Sequence, residues 1–166
     1  MEGYDYRQHG AYSLTICTQE RVMLFGDMVD GVMNLNTLGC VVDDEWRKTP
    51  SIRAEIHLDE YVVMPNHFHA IVYIIAESHY CESTRAHSRA PLQDTLTRPA
   101  RSLGSLVAGF KATTTAKINK LRETPGSKIW QRNYYERIIR NEDELNHLRQ
   151  YITLNPQNWL RDNDDL

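Results

Sequence analysis

Cysteine is scarce in this chain: Cys17, Cys40 and Cys81 are odd in number, far apart and outside any CxxC spacing. That excludes a disulfide framework and a cysteine-built zinc cage, and it points to reduced thiols in a cytoplasmic protein. Long apolar runs are also missing, so no segment offers a membrane span and no membrane partner is expected. The opening residues, Met1-Glu2-Gly3-Tyr4-Asp5, lack the basic-then-apolar order of a secretory signal. Internal repeats are absent, which excludes a solenoid or propeller. A charge excess is absent too, because the net −3 gives no hint of a nucleic-acid partner.

What is present fits one globular unit over residues 1–166, with apolar and charged fractions of 41% and 25% near ordinary soluble averages. The distribution of charge says more than its sum. From Arg98 to Arg140 ten basic residues face only Glu123 and Glu136, a net of +8, which leaves −11 for the rest of the chain. Such a block can follow a phosphate backbone, although a solvated helix face would look much the same.

Periodicity divides the chain into strands and helices. Ala11 to Thr18 alternates large apolar with small polar side chains, as a strand does, and Gly31 to Asn36 reads as a minor strand after a turn-like Gly26-Asp27. Asn36 to Lys48 has helical spacing through Leu38, Val41, Val42 and Trp46, with Pro50 as its stop. Ala54 to Met64 and His67 to Ile75, broken by Pro65-Asn66, predict a central antiparallel hairpin. Residues 76–101 are rich in Ser, Thr, His, Arg and Pro and predict a mobile surface loop. Ser102 to Leu121 predicts an amphipathic helix on Leu103, Leu106, Val107, Phe110, Ala116 and Ile118, with Lys111, Lys117 and Lys120 exposed. Ile129 to Ile139 reads as a further strand or extended segment. Asn141 and Glu144 then have the spacing of a capping box, opening a last helix that Pro156 limits. The expected class is α+β, with a ferredoxin-like antiparallel sheet, helices packed on it and a C-terminal helix carrying Tyr151.

Two clusters carry chemistry. In His67-Phe68-His69 the strand period of two points both imidazoles one way and Phe68 the other. Such a pair can hold a divalent metal that needs one more ligand, or it can be two hydrogen-bonded histidines beside a turn. In Tyr151-Ile152-Thr153-Leu154-Asn155-Pro156 one helical turn separates Tyr151 from Asn155. A phenol is a competent nucleophile towards phosphorus, and an amide oxygen is a reasonable ligand for a hard cation. The bland alternative is an amphipathic core tyrosine followed by a routine helix stop, with Pro156 turning Asn155 away from helical backbone angles.

Taken together, the strings YVVMPNHFHAIV (Tyr61 to Val72), WQRNYYERIIRNEDEL (Trp130 to Leu145) and YITLNP (Tyr151 to Pro156) closely resemble the REP-associated tyrosine transposases. Those enzymes belong to the wider HUH superfamily of single-tyrosine, single-strand DNA transposases, and the resemblance runs from about Gly3 to about Trp159. It implies that His67, His69 and Asn155 hold a divalent metal, Mg2+ or Mn2+, and that Tyr151 is the nucleophile. It also implies that single-stranded DNA beside a hairpin is cut and rejoined through a 5'-phosphotyrosine. Lys111, Lys117, Lys120, Arg132, Arg137 and Arg140 are the candidates for phosphate contacts, and Trp130, Tyr134 and Tyr135 for base stacking. His147, His57 and Glu60 are further residues that proximity in sequence or on the sheet would place near the site. Two rival readings stay open at this point: a domesticated protein that grips hairpin DNA without cutting it, and a nickase without strand transfer. Related proteins include homodimers and monomers, and the sequence does not choose between them.

Overall fold

The computed structural model describes residues 10–75 and 102–163, with side chains as far as Trp159. Its elements are β1 (Gly10–Cys17), β2 (Gly26–Val29), β3 (Val32–Leu35), α1 (Thr37–Arg47), α2 (Thr49–Ile52), β4 (Ile56–Met64), β5 (His67–Ile74), α3 (Leu103–Arg122), β6 (Tyr135–Ile139) and α4 (Glu142–Asn163). Four strands form one sheet in the order β4-β5-β1-β6, and every neighbouring pair is antiparallel. With the separate β2-β3 hairpin set aside, the chain reads β-α-β-β-α-β, the ferredoxin-like order.

The strand period assigns each residue to a layer. Tyr12, Leu14, Ile16, Phe68, Ala70 and Val72 pack with Val42 and Trp46 of α1 and with Leu103, Leu106, Val107, Phe110 and Ile118 of α3. The alternate residues Ala11, Val62, Ile71, Tyr73 and Ile139 lie under Leu145, Leu148 and Ile152 of α4. The sheet is therefore covered on both faces, and β5 is buried along nearly its whole length. His67 and His69 share the α4 layer with Ile71, while Phe68 sits in the other layer.

Local chemistry fixes the helix starts. The Asn36 side-chain oxygen accepts from the Leu38 and Gly39 amides at 2.9 and 3.0 Å, capping α1. Ser102 and Ser105 form a reciprocal capping box at the start of α3. For α4 the Asn141 side chain accepts from the Glu144 amide at 2.8 Å, and Glu144 reaches back to the Arg140 amide at 3.0 Å.

The structure refines several of these expectations. Gly26-Asp27 is not a turn but the start of β2, and the reversal falls at Asp30-Gly31, where both residues take positive φ. Pro50 follows the end of α1 at Arg47, as expected, and stands in the first turn of the separate, short α2, where a missing N–H costs nothing. The stretch Ile129 to Ile139 is a strand only from Tyr135 onward, with Trp130 making an isolated bridge to Thr18. Pro156 does not limit α4, which continues to Asn163. On α3, Ala116 is exposed and Thr114 is buried in its place, its hydroxyl returned to the Phe110 carbonyl at 2.8 Å. The expected loop over 76–101 lies outside the described residues.

Gly39 gives a test of this packing. A Cβ there would lie 2.1 Å from the backbone oxygen of Phe25, which belongs to the core and cannot swing aside. Alanine normally stabilises a helix relative to glycine by about 1 kcal/mol. Here the clash reverses the sign, and Gly39→Ala is expected to destabilise by roughly 1–3 kcal/mol, read as a lower urea midpoint. An unchanged or raised midpoint would contradict the packing.

Candidate active site

The site begins at the two-residue turn Pro65-Asn66, which joins Met64 to its partner His67 across the β4-β5 hairpin. That turn is tied to the rest of the chain on both sides. The Pro65 carbonyl accepts from the Leu24 and Phe25 amides at 2.7 and 3.1 Å. The Asn66 carbonyl accepts from the amide and the hydroxyl of Thr18, both at 2.9 Å. His67 thus enters β5 from a fixed position, and His69 follows on the same face.

The two imidazoles stand 4.6 Å apart between centroids, at 77° to each other, and each is only 8% exposed. Nδ1 of His67 lies 2.7 Å from the side-chain oxygen of Asn66, and Nδ1 of His69 lies 2.8 Å from the hydroxyl of Thr15, its register partner on β1. With Nδ1 of each ring held against a protein oxygen, Nε2 is the remaining ring nitrogen. Holding Nδ1 in this way is how an imidazole is oriented as an Nε2 ligand. Burial is the main reason that His67 is driven down to about 3, with the neighbouring His69 and the charge of Arg21 adding to it and a hydrogen bond to Asn155 opposing it. His69 is driven down to about 4, again chiefly by burial. Both rings are neutral at physiological pH.

Helix α4 closes the site from above. Tyr151, Asn155 and Trp159 follow one another at intervals of four, so they line one side of the helix. The Tyr151 ring stands 5.4 Å from the His69 ring, edge to face at 75°, and the residue is 46% exposed. Asn155 is 5% exposed and its side chain hydrogen-bonds the His67 ring. The buried Trp159 ring lies 5.7 Å from His67 at 31°. The sequence reading named His67, His69, Tyr151 and Asn155, and the structure brings all four together within one chain.

It missed Trp159, because the helix was expected to stop at Pro156. It also missed Thr15 and Asn66, which are generic until the register puts them beside the rings. Arg21 was missed as well. This exposed arginine ends a 3-10 turn, Gln19–Arg21, in which Glu20 and Arg21 both take left-handed backbone angles, and its charge reaches both imidazoles. A pair of positive-φ residues with side chains is a signal visible only in the fold.

The remaining candidates divide between the two faces of the sheet. Tyr135 is 67% exposed and shares a row with Thr15 and His69, and Arg137 projects on the same side, paired with Glu144 of α4 at 2.6 Å. The residues on α3 lie across the sheet from the site. Lys111 is not a free exposed cation, since its ammonium donates to the carbonyls of Gln131, Arg132 and Asn133 at 2.9, 3.3 and 3.0 Å and lies over the Tyr134 ring. Lys117 is exposed but ion-paired to Glu45. Trp130 is buried and donates its indole N–H to Thr114 at 2.9 Å, which leaves no ring face for a base. Lys120, Arg132 and Arg140 are exposed. His57 pairs with Tyr73, near the end of the hairpin remote from His67, and Glu60 is exposed away from the rings. His147 is also exposed.

The depressed histidines make stability depend on pH. Both rings take a proton less readily in the folded protein than at their ordinary value of 6.5. As the pH falls, the unfolded chain binds protons first, so stability is lost from about pH 6.5 down towards the folded values. Asp59 and Glu45, whose carboxyls are held low by Arg149 and Lys117, contribute their losses only within the lower carboxylate range. The urea midpoint of metal-free protein is therefore expected to drop between pH 7 and pH 5, with a smaller drop in His67→Gln/His69→Gln. Equal midpoints for the wild type at the two pH values would contradict the buried, neutral pair.

No family model matches the chain. It is 36% identical over 167 residues to an uncharacterized protein of Haemophilus influenzae (strain ATCC 51907 / DSM 11121 / KW20 / Rd), covering 98% of this chain and 88% of that one. A solved REP-associated tyrosine transposase bound to a REP hairpin superposes with a TM-score of 0.60 at 21% identity, covering 94% of this chain and 73% of that one. A protein of Deinococcus radiodurans R1 with a provisional transposase assignment superposes with a TM-score of 0.50 at 16% identity, covering 92% and 95%. The chain therefore belongs to one family with the Haemophilus influenzae protein, and its fold is that of a REP-associated tyrosine transposase.

Proposed function

We propose that this protein is a metal-dependent transposase that cleaves and rejoins single-stranded DNA beside hairpins through a 5'-phosphotyrosine on Tyr151. The observation that carries this reading is the convergence of a half-exposed phenol on two buried, neutral imidazoles whose Nδ1 atoms are already tethered. The solved relative is bound to a REP hairpin, and the same class of partner is proposed for this chain.

The donor set fits a hard or borderline divalent cation such as Mg2+ or Mn2+. Among the described residues no three His, Cys, Asp or Glu side chains gather into a cage. His67 and His69 would hold the ion, with the amide oxygen of Asn155 as the third protein ligand. When bound, such an ion supplies Lewis-acid stabilisation of charge on the scissile phosphate. The remaining work falls to the protein. Asn66 and Thr15 keep the two rings turned toward the site, and Trp159 closes the side of His67. The Tyr151 oxygen attacks phosphorus, the bond to the 3' oxygen breaks, and the phenolic proton is balanced by the one that the new 3'-hydroxyl acquires. Attack by another strand's 3'-hydroxyl then joins the DNA and releases the tyrosine, so no nucleotide cofactor is consumed. Exposed Tyr135 offers a ring for stacking on the site face, and Arg21 places positive charge near the imidazoles.

With a labelled single-stranded hairpin and Mn2+, the wild type is expected to give a slow-migrating covalent adduct on a denaturing gel. Tyr151→Phe should reduce it by about a thousandfold or more, as loss of a nucleophile does elsewhere. Chelation of the metal, or His67→Ala, should abolish the adduct while hairpin binding persists. Binding without any adduct would replace this reading with a non-catalytic hairpin binder, and cleavage without strand joining would replace it with a nickase. Hairpin affinity should also fall steeply with salt, and a flat response would remove the assigned phosphate contacts.

A further inference from the structure

Strand β4 departs from regular pairing between Leu58 and Tyr61, where one extra residue is inserted opposite β5. Leu58 pairs with Val72 and Tyr61 with Ala70, so Asp59 and Glu60 together oppose Ile71. A bulge of this kind re-aims a side chain, and here it supplies a carboxylate to α4. Arg149 Nε lies 3.0 and 3.2 Å from the two oxygens of Asp59, and a terminal guanidinium nitrogen lies 2.6 Å from the second. The Asp59 carboxylate also accepts from the Glu60 amide at 2.7 Å and from the Tyr73 side chain. The other end of Arg149 reaches Asn146 at 3.2 Å and Glu142 at 3.7 Å on its own helix. The aspartate side chain is only 12% exposed, so this is a tethered fork and not a loose surface pair.

Its place on the helix gives it a consequence at the site. At about 100° per residue, Arg149 and Tyr151 stand roughly 160° apart around α4. Between them runs the packed line of Leu145, Ile152, Asn155 and Trp159, all buried, with the partly buried Leu148. An apolar line resists lifting of the helix but resists rolling about its axis only weakly. A side chain near 6 Å from the axis moves about 1 Å for a roll of ~10°. Misplacement of a reacting group by about 1 Å can cost a hundredfold in rate.

We propose that Asp59 and Arg149 form a positioning pair that sets the roll of α4, so that Tyr151 and Asn155 meet His69 and His67. This inference rests on the site reading given above. Neither residue is a catalytic residue, and the pair acts through the helix.

The test compares Asp59→Asn, Arg149→Lys and the charge-exchanged Asp59→Arg/Arg149→Asp with the wild type, using three readouts. Adduct formation is measured across hairpin concentrations up to saturation and across Mn2+ concentrations, and amide exchange over residues 145–156 is followed in metal-free protein. Asp59→Asn should slow adduct formation at saturating hairpin by roughly a hundredfold, leave the half-saturating hairpin concentration unchanged, and raise the Mn2+ requirement. Its α4 amides should exchange about tenfold faster without metal. Arg149→Lys, which keeps the charge but loses the fork, should fall between Asp59→Asn and wild type, and the exchanged pair should recover part of the rate. Should Asp59→Asn fail to fold, Arg149→Lys carries the same comparison. Wild-type rates and wild-type exchange over α4 in both single variants would overturn the proposal. If the wild type itself forms no adduct, the transposase reading fails, while exchange over α4 still decides whether the pair holds the helix.

Discussion

The site depends on α4 remaining a helix through Pro156. Residues four apart on a helix drift only about 40° around the axis and advance about 6 Å along it. Alternate residues on a strand stand about 6.6 Å apart. The two repeats nearly match, which lets Tyr151 stand by His69 while Asn155 and Trp159 serve His67. Had the helix ended at Asn155, the amide would sit in a fraying last turn and His67 would lose its aromatic cover. A proline inside a helix costs about 3 kcal/mol, because it removes one ladder hydrogen bond and crowds the preceding turn. The buried Ile152 and Trp159, on either side of Pro156, provide the packing that offsets that cost.

A second constraint follows from burying two imidazoles side by side. A charged pair at this depth would be expensive, so the rings give up their protons and become lone-pair donors instead. Neutral rings still carry polar nitrogens that need partners. Thr15 is delivered by strand register and Asn66 by the hairpin turn, so the polar contacts that make burial tolerable are the same ones that orient the rings. Ligand orientation and burial are one arrangement here, and β1 takes part in it as much as β5.

Much of this was legible in the sequence wherever a periodic pattern or a fixed offset carried the signal. The period of two put His67 and His69 on one face and Phe68 on the other, and Asn36, Ser102 and Asn141 marked true helix starts. The class and the strands other than β2 followed from the same alternation. What failed were arguments from single residues. Pro156 reads as a stop yet is overridden by tertiary packing, whereas Pro50 does follow the end of α1. Gly26 reads as a turn residue, but it serves β2 at φ 139°, where a Cβ would strike the Asn34 carbonyl. Trp130 and Lys111 looked available for DNA, and each is consumed by partners about sixteen to twenty-two residues distant in sequence, Thr114 and the Gln131 to Asn133 carbonyls. No local pattern reports such long-range contacts.

The basic segment shows how far a charge count can mislead. Lys111 ties α3 to the chain that leads into β6, and Lys117 neutralises the partly buried Glu45, so both do structural work before any ligand arrives. The cations left exposed do not surround Tyr151. Lys120 belongs to α3, across the sheet from the site, whereas Arg21 and Arg137 are on or near the site side. β6 is one of the two outer strands of the sheet, next to β1. That edge is flanked by Arg132, Tyr134 and Arg140 and carries Tyr135 and Arg137. The basic run is thus divided between α3 on one face of the sheet and β6 at its edge, and its net charge is the weaker clue.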